Sequence, residues 1–224
     1  MRFVAMMAMA VLAVMPGMAT ADTIASGDQV RIDDYVGGLG DNANGGSGYG
    51  GPFKATANGD SWVTFCLEMN EQVSFGGTYW TVLNTGTMMG GVAGQNPSGG
   101  FFDPLSTQSA FAYWKFRNGN PGGWSGSDMQ FYLWRMENEL GSFMGGSSAI
   151  DTWVNAHIGG WSNNGRVVVL NLYDAPIPQG QAFNADWIRV HRRQDQIATV
   201  PEPASLLVVG LGLVGVASRL RRRS

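Results

Sequence analysis

Alternation of apolar and polar positions marks the first half of the chain as strands. Over 28–35, Val30 and Ile32 alternate with polar residues and Tyr35 closes the run, the period-two pattern of a half-buried strand. The stretch 62–75 reads W-V-T-F-C-L-E-M-N-E-Q-V-S-F. Val63, Phe65, Leu67 and Met69 fall on one face, and Trp62, Thr64, Cys66 and Glu68 on the other. Gly76-Gly77 is a turn signal, so a strand over 78–83 is expected to pair back on 62–75 as a hairpin. The period then lengthens. A short helix is expected over 105–116, and a second opens at Ser127 or Asp128. In the second, Phe131, Trp134 and Asn138 recur at helical spacing, with Leu133, Met136 and Leu140 on the neighbouring stripe. A third is expected over 147–158. The run V-V-V-L-N-L-Y over 167–173 suits a strand buried on both faces. A last strand is expected over 182–191, with Phe183, Trp187 and Ile188 inward, and 192–200 reads as a polar linker. Gly-rich loops fill 37–52 and 84–100, and no internal repeat occurs. Strands, then helices, then strands again predict an α+β or mainly β domain. The expected form is a β-sandwich or barrel-like body with a short helical insertion.

The two ends do not belong to that domain. Arg2, an apolar run over 3–15, a Pro16-Gly17 break and Ala19-Thr20-Ala21 have the order of a secretory signal peptide over 1–21. At the other end stand Val200-Pro201-Glu202-Pro203, an apolar run over 204–218, and Arg219, Arg221, Arg222 and Arg223. As a helix the run would be about 22 Å long, short for a hydrocarbon core of ~30 Å. The flanking arginine stems would lie in the interface with their heads in water. Pro201 and Pro203 forbid helix upstream. These three parts in this order resemble the PEP-CTERM sorting signal of exported bacterial proteins. The resemblance implies recognition of Pro201, Glu202 and Pro203 by an exosortase, with 204–218 as a transient inner-membrane helix. Delivery to the cell surface or extracellular matrix would follow. The expected organisation is therefore signal peptide 1–21, extracytoplasmic domain 22–192, linker 193–199 and sorting signal 200–224.

Charge and cysteine usage narrow the body further. The chain has 14 basic and 17 acidic residues; setting aside Arg2, the four tail arginines and Glu202 leaves nine and sixteen, about −7. Electrostatic binding of nucleic acid is not expected from such a balance. Cys66 is the only cysteine, so no internal disulfide can form. His157 and His191 are the only histidines, too few and too scattered for a metal site. Asp41 and Asn42 lack the ligand spacing of a calcium loop. His157 with Asp151 and Ser147 or Ser148 has no nucleophile elbow around either serine. Glu137 and Glu139, two apart on a helix, do not face each other and read as solvated charges rather than a glycosidase pair. No cofactor or metal is expected, and the chain reads as structural or adhesive rather than as an enzyme.

Cys66, in T-F-C-L-E, and Gln130, in D-M-Q-F-Y-L-W, form the one chemically distinctive pair. They resemble the motifs of thioester domains in bacterial surface adhesins. Phe65-Cys66 matches an aromatic-Cys strand motif. Gln130, Leu133 and Trp134 match a Gln-x-x-aliphatic-Trp helix motif, and Tyr132 stands where a small residue is usual. The resemblance implies a bond between the Cys66 sulfur and the Gln130 side-chain carbonyl, an acyl electrophile open to attack by a surface amine. A small, buried, inert Cys66 is the other reading of the same residues. Trp80, Trp114, Trp124 and Trp161, in or near Gly-rich loops, supply the alternative function of non-covalent exopolysaccharide binding through aromatic faces. The expected partners are thus an exosortase, the inner membrane in transit, and extracellular polysaccharide or surface amines.

Overall fold

A computed structural model describes residues 23–36, 50–69, 71–88, 102–140, 148–178 and 185–200. The body is mainly β. Strand β1 (Gln29–Tyr35) is followed by the hairpin β2 (Phe53–Ala57) and β3 (Asp60–Thr64). Then come β4 (Gly77–Asn84), the short pair β5 (Gly86–Met88) and β6 (Phe102–Pro104), and helices α1 (Thr107–Arg117), α2 (Gly126–Met136) and α3 (Ser148–His157). Strand β7 (Val167–Tyr173), helix α4 (Ala185–His191) and strand β8 (Arg192–Thr199) complete the domain.

Six strands form one antiparallel sheet in the order β3-β2-β1-β4-β7-β8. The sheet curls until its two edges meet. Beyond β3 the chain runs alongside β8: Ile197 N donates to Phe65 O at 3.2 Å, Leu67 N donates to Asp195 O at 3.0 Å, and Cys66 bridges Gln196. The closed sheet hides edges that would otherwise be open to pairing with another chain. The domain is therefore mainly β, built on one curled sheet with short helices against it.

Closure explains the alternation over 62–67. Trp62 and Cys66 enter an inner core with Val30, Ile32, Phe53, Ala55, Leu170 and Leu172. Phe65 and Leu67 point the other way, into a second core formed with α1, α2 and α3. Phe65 lies edge-on to Tyr113 and Phe116, with centroids 6.2 and 5.3 Å apart. A fully buried side chain of this size contributes ~1.5–3 kcal/mol. Both faces of this stretch are therefore apolar.

Several expectations need correction. The strand expected over 62–75 ends at Thr64, and β4 pairs with β1 and β7 instead of folding back on it. Strand β2 lies in a stretch assigned to no element. Its signal is Asn58-Gly59 between F-K-A-T-A and D-S-W-V-T; the two turn residues have φ of 52° and 85°, as a type I′ hairpin requires. The expected strand over 182–191 is helix α4, which buries Ile188 and leaves Val190 exposed, a split that two residues on one strand face would not show. The expected linker 193–199 is β8. Its buried polar side chains find polar partners, Gln194 and Gln196 across the closing seam and Asp195 on β5 and β7. Gln194 Nε2 donates to Glu68 O at 2.6 Å, and Asp195 Oδ2 accepts from Met88 N and Asn171 Nδ2 at 2.8 and 2.9 Å. The domain therefore runs through Thr199. Segments 1–21 and 204–218, the calcium-loop candidates Asp41 and Asn42, and Phe183 lie outside the described residues. Among the described residues no helix is long and apolar enough to cross a membrane.

Candidate functional site

Helix α2 presents Gln130 to the curled sheet. Its N-cap is Ser125, ahead of both expected caps, Ser127 and Asp128. The Ser125 hydroxyl accepts from Asp128 N at 3.0 Å and donates to the Asp128 carboxylate at 2.7 Å. Gln130 then falls in the second turn, on the side facing the closing seam, and is fully buried.

The Gln130 carboxamide is bound on both of its ends. Its Oε1 accepts from Gly51 N at 2.7 Å and from Cys66 N at 3.0 Å, and its Nε2 donates to Cys66 O at 2.7 Å. The side chain thus acts as a strand partner for Cys66, beyond the end of β3. The two candidate residues are brought together, 64 positions apart in the chain. Two backbone N–H groups on one carbonyl oxygen draw electron density from its carbon. The same arrangement stabilises the oxyanion of acyl transfer.

Cys66 is fully buried, and its Sγ accepts from Gln196 Nε2 at 3.5 Å. Burial pushes the Cys66 thiol well above its ordinary range, against the smaller opposing effect of the Gln196 hydrogen bond. The group is therefore a neutral S–H at pH 7. Thr64, two residues earlier on the same face, donates to Ile197 O at 2.7 Å and lies 3.3 Å from Gln196 Oε1. Gln194, Gln196 and Gly51 are site residues that sequence reasoning missed: the two glutamines come to Cys66 through closure of β8, and Gly51 comes to Gln130 through the β2–β3 hairpin.

Water is excluded on both sides. Trp134, one turn after Gln130, is buried in the same inner core as Cys66. Gly50 covers Gln130 from above at a φ of 76°; a Cβ there would meet Gln130 Cγ at 2.7 Å and Trp134 Cη2 at 2.8 Å. Tyr132 is buried in the other core and does not crowd the pair.

Beneath the seam lies a group of acids. Glu68 is buried, and among the described residues neither carboxyl oxygen has a hydrogen-bond partner. Burial first, then the neighbouring Asp195 and Glu71 carboxyls, push Glu68 well above the usual carboxylate range. Asp195 is pushed up by burial and by Glu71, while its bonds from Met88 N and Asn171 pull the other way.

The other sequence candidates do not form sites. Asp151 pairs with Arg135, while His157 Nδ1 bonds Trp153 O at 2.7 Å and its ring stacks on Trp153. Glu137 and Glu139 are buried, not solvated: Glu137 accepts from the Ser106 hydroxyl at 2.7 Å, capping α1, and Glu139 accepts from Met69 N at 3.0 Å. Trp124 is buried, and Trp80, Trp114 and Trp161 are half-buried. No group of three or more His, Cys, Asp or Glu suited to a metal occurs among the described residues.

Comparison with known proteins bears on the end of the chain. No curated protein and no solved structure matches the chain significantly. The PEP-CTERM protein-sorting motif matches residues 199–223, so the match begins at the last residue of β8. The chain carries a PEP-CTERM sorting signal, and with it an address to the cell envelope by way of an exosortase.

Proposed function

We propose that the exported domain is a covalent attachment module, used once, in which Cys66 and Gln130 form an internal thioester. The observation that carries this reading is the Gln130 carboxamide held against Cys66, with two N–H donors on its Oε1 and no exposure to water. In the forming step the Cys66 sulfur bonds to Gln130 Cδ, the C–N bond breaks, and the thiol proton leaves with the amide nitrogen as ammonia. In the attachment step an amine on a target surface adds to the same carbon. The sulfur departs as the leaving group, takes back a proton, and a stable amide remains on Gln130. The reading is supported by the hydrogen bonds that hold the Gln130 carboxamide to the Cys66 backbone, and the dry surroundings of Trp134 and Gly50 would protect an acyl group from hydrolysis. Delivery to the envelope would place the group where surface amines are met.

Trapping tests this reading. The processed protein is unfolded in the presence of a labelled primary amine and digested. Label on the peptide containing Gln130, lost in Cys66→Ser, is expected. Label absent from wild type, or retained in Cys66→Ser, contradicts it.

A further inference from the structure

A second site lies away from Cys66 and Gln130. A cleft of about 450 Å³ opens where α4 passes into β8, against the segment leading into β4. Arg189, Arg192 and Arg193 line one side, and Gln72, Ser74 and Tyr79 line the other. We propose that this cleft binds the carboxylate of an acidic sugar unit, such as a uronate in an extracellular glycan.

Charge placement is the first argument. The body has nine basic residues and a net charge near −7, yet three of the nine converge on this one cleft. Arg189 reaches the cleft from α4, and Arg192 and Arg193 reach it from the start of β8.

Two of the arginines are also held in place. Arg192 Nη1 lies 2.6 Å from Glu71 Oε1, and Glu71 itself lines the cleft. Arg193 pairs with Asp174, which also bonds His191 Nδ1 at 2.8 Å. Arg189 sits 3.6 Å from Asp186 and is largely exposed. A guanidinium has five N–H donors in a planar fork, and one carboxylate uses at most two of them. Arg192 is oriented by Glu71, and Arg193 by Asp174 and by its own Nη1 bond to Arg192 O at 2.6 Å, while Arg189 stands at the exposed rim. A guanidinium fork matches a carboxylate in bidentate fashion.

The opposite wall decides the class of anion. It offers a carboxamide, a hydroxyl and a phenol rather than further charge, and the Tyr79 hydroxyl is fixed by accepting from Ser74 N at 2.7 Å. Neutral donors and acceptors facing a basic wall suit a ligand with hydroxyls around one carboxylate. The volume falls within the ~300–1,000 Å³ of small-ligand pockets. The inference is independent of the thioester, since neither Cys66 nor Gln130 lines the cleft.

Calorimetric titration of the processed protein with trigalacturonate tests the proposal, with a neutral trisaccharide and inorganic phosphate as the other arms. Binding of the uronate, weakening as salt is raised, is expected. The Arg189→Gln/Arg193→Gln double variant should lose it by ~10-fold or more, equivalent to about 1.4 kcal/mol. Arg192 is left intact because it partners Glu71. Arg189→Glu, at an exposed position whose change does not endanger folding, should weaken binding in the same direction. No uronate binding, equal binding of the neutral sugar, tighter binding of phosphate, or an unchanged affinity in a folded variant each overturns it.

Discussion

Gln130 does with its side chain what a neighbouring strand would do with its backbone. It satisfies Cys66 N, Cys66 O and Gly51 N, three backbone groups that closure buries without a ladder partner. Replacing it with Leu keeps the volume but orphans all three. Gln130→Leu should therefore cost about 3 kcal/mol or more, at ~1–3 kcal/mol per buried unpaired group, read as a lower urea midpoint. Glu68 gives the opposite expectation. Its raised value in the folded state means that its contribution to stability is complete below the ordinary carboxyl range, near 4, and is lost as pH rises through the elevated value. Asp195 acts in the same direction. The melting temperature should fall between pH 5 and 7, and Glu68→Gln should flatten that slope. The same variant should stabilise the domain at pH 7 by about 1–3 kcal/mol. A melting temperature that rises over this window, or a destabilised Glu68→Gln, contradicts the assignment. Cys66 and Gln130 were legible in the sequence because each sits in a short motif. Glu68 was visible only as a polar residue on the Cys66 face, since nothing local says that the seam will bury it.

Among the elements, those that obey a simple period were readable: β1, β7 and α3 lie close to where apolar spacing put them. The failures cluster at α4 and β8. Arg192 to Thr199 has almost no apolar residue before Ile197, and its pattern is set by partners across the seam rather than by hydropathy. The β2–β3 hairpin was available through Asn58-Gly59 and shows what turn chemistry adds to periodicity. Two glycines separate strain from collision. Gly59 has a φ of 85° with open space around its α-carbon, so Gly59→Ala should cost only the left-handed penalty of ~1–2 kcal/mol. Gly50→Ala adds a clash with Gln130 and Trp134 to a similar penalty and should cost clearly more. Equal losses in denaturant midpoint would mean that Gly50 does not cover Gln130 closely.

The whole molecule is closed by its last strand. Thr64 and Ile197 lie 133 positions apart and meet at 2.7 Å, so the curled sheet is incomplete until the domain's end is in place. A chain ending at His191 should show no cooperative thermal transition, whereas one ending at Val200 should unfold in a single step. Similar transitions in both would restore 193–199 as a linker. The sorting motif starts where that closing strand ends, at Thr199, so the address directly abuts the folded body. The proposed function of the body rests on a thioester forming between Cys66 and Gln130, and the intact mass tests for it. The processed protein, kept from nucleophiles, is predicted to be lighter than its sequence by one ammonia and to gain one methylamine on treatment. A mass equal to the sequence, with Cys66 alkylated freely once the protein is unfolded, would contradict the thioester.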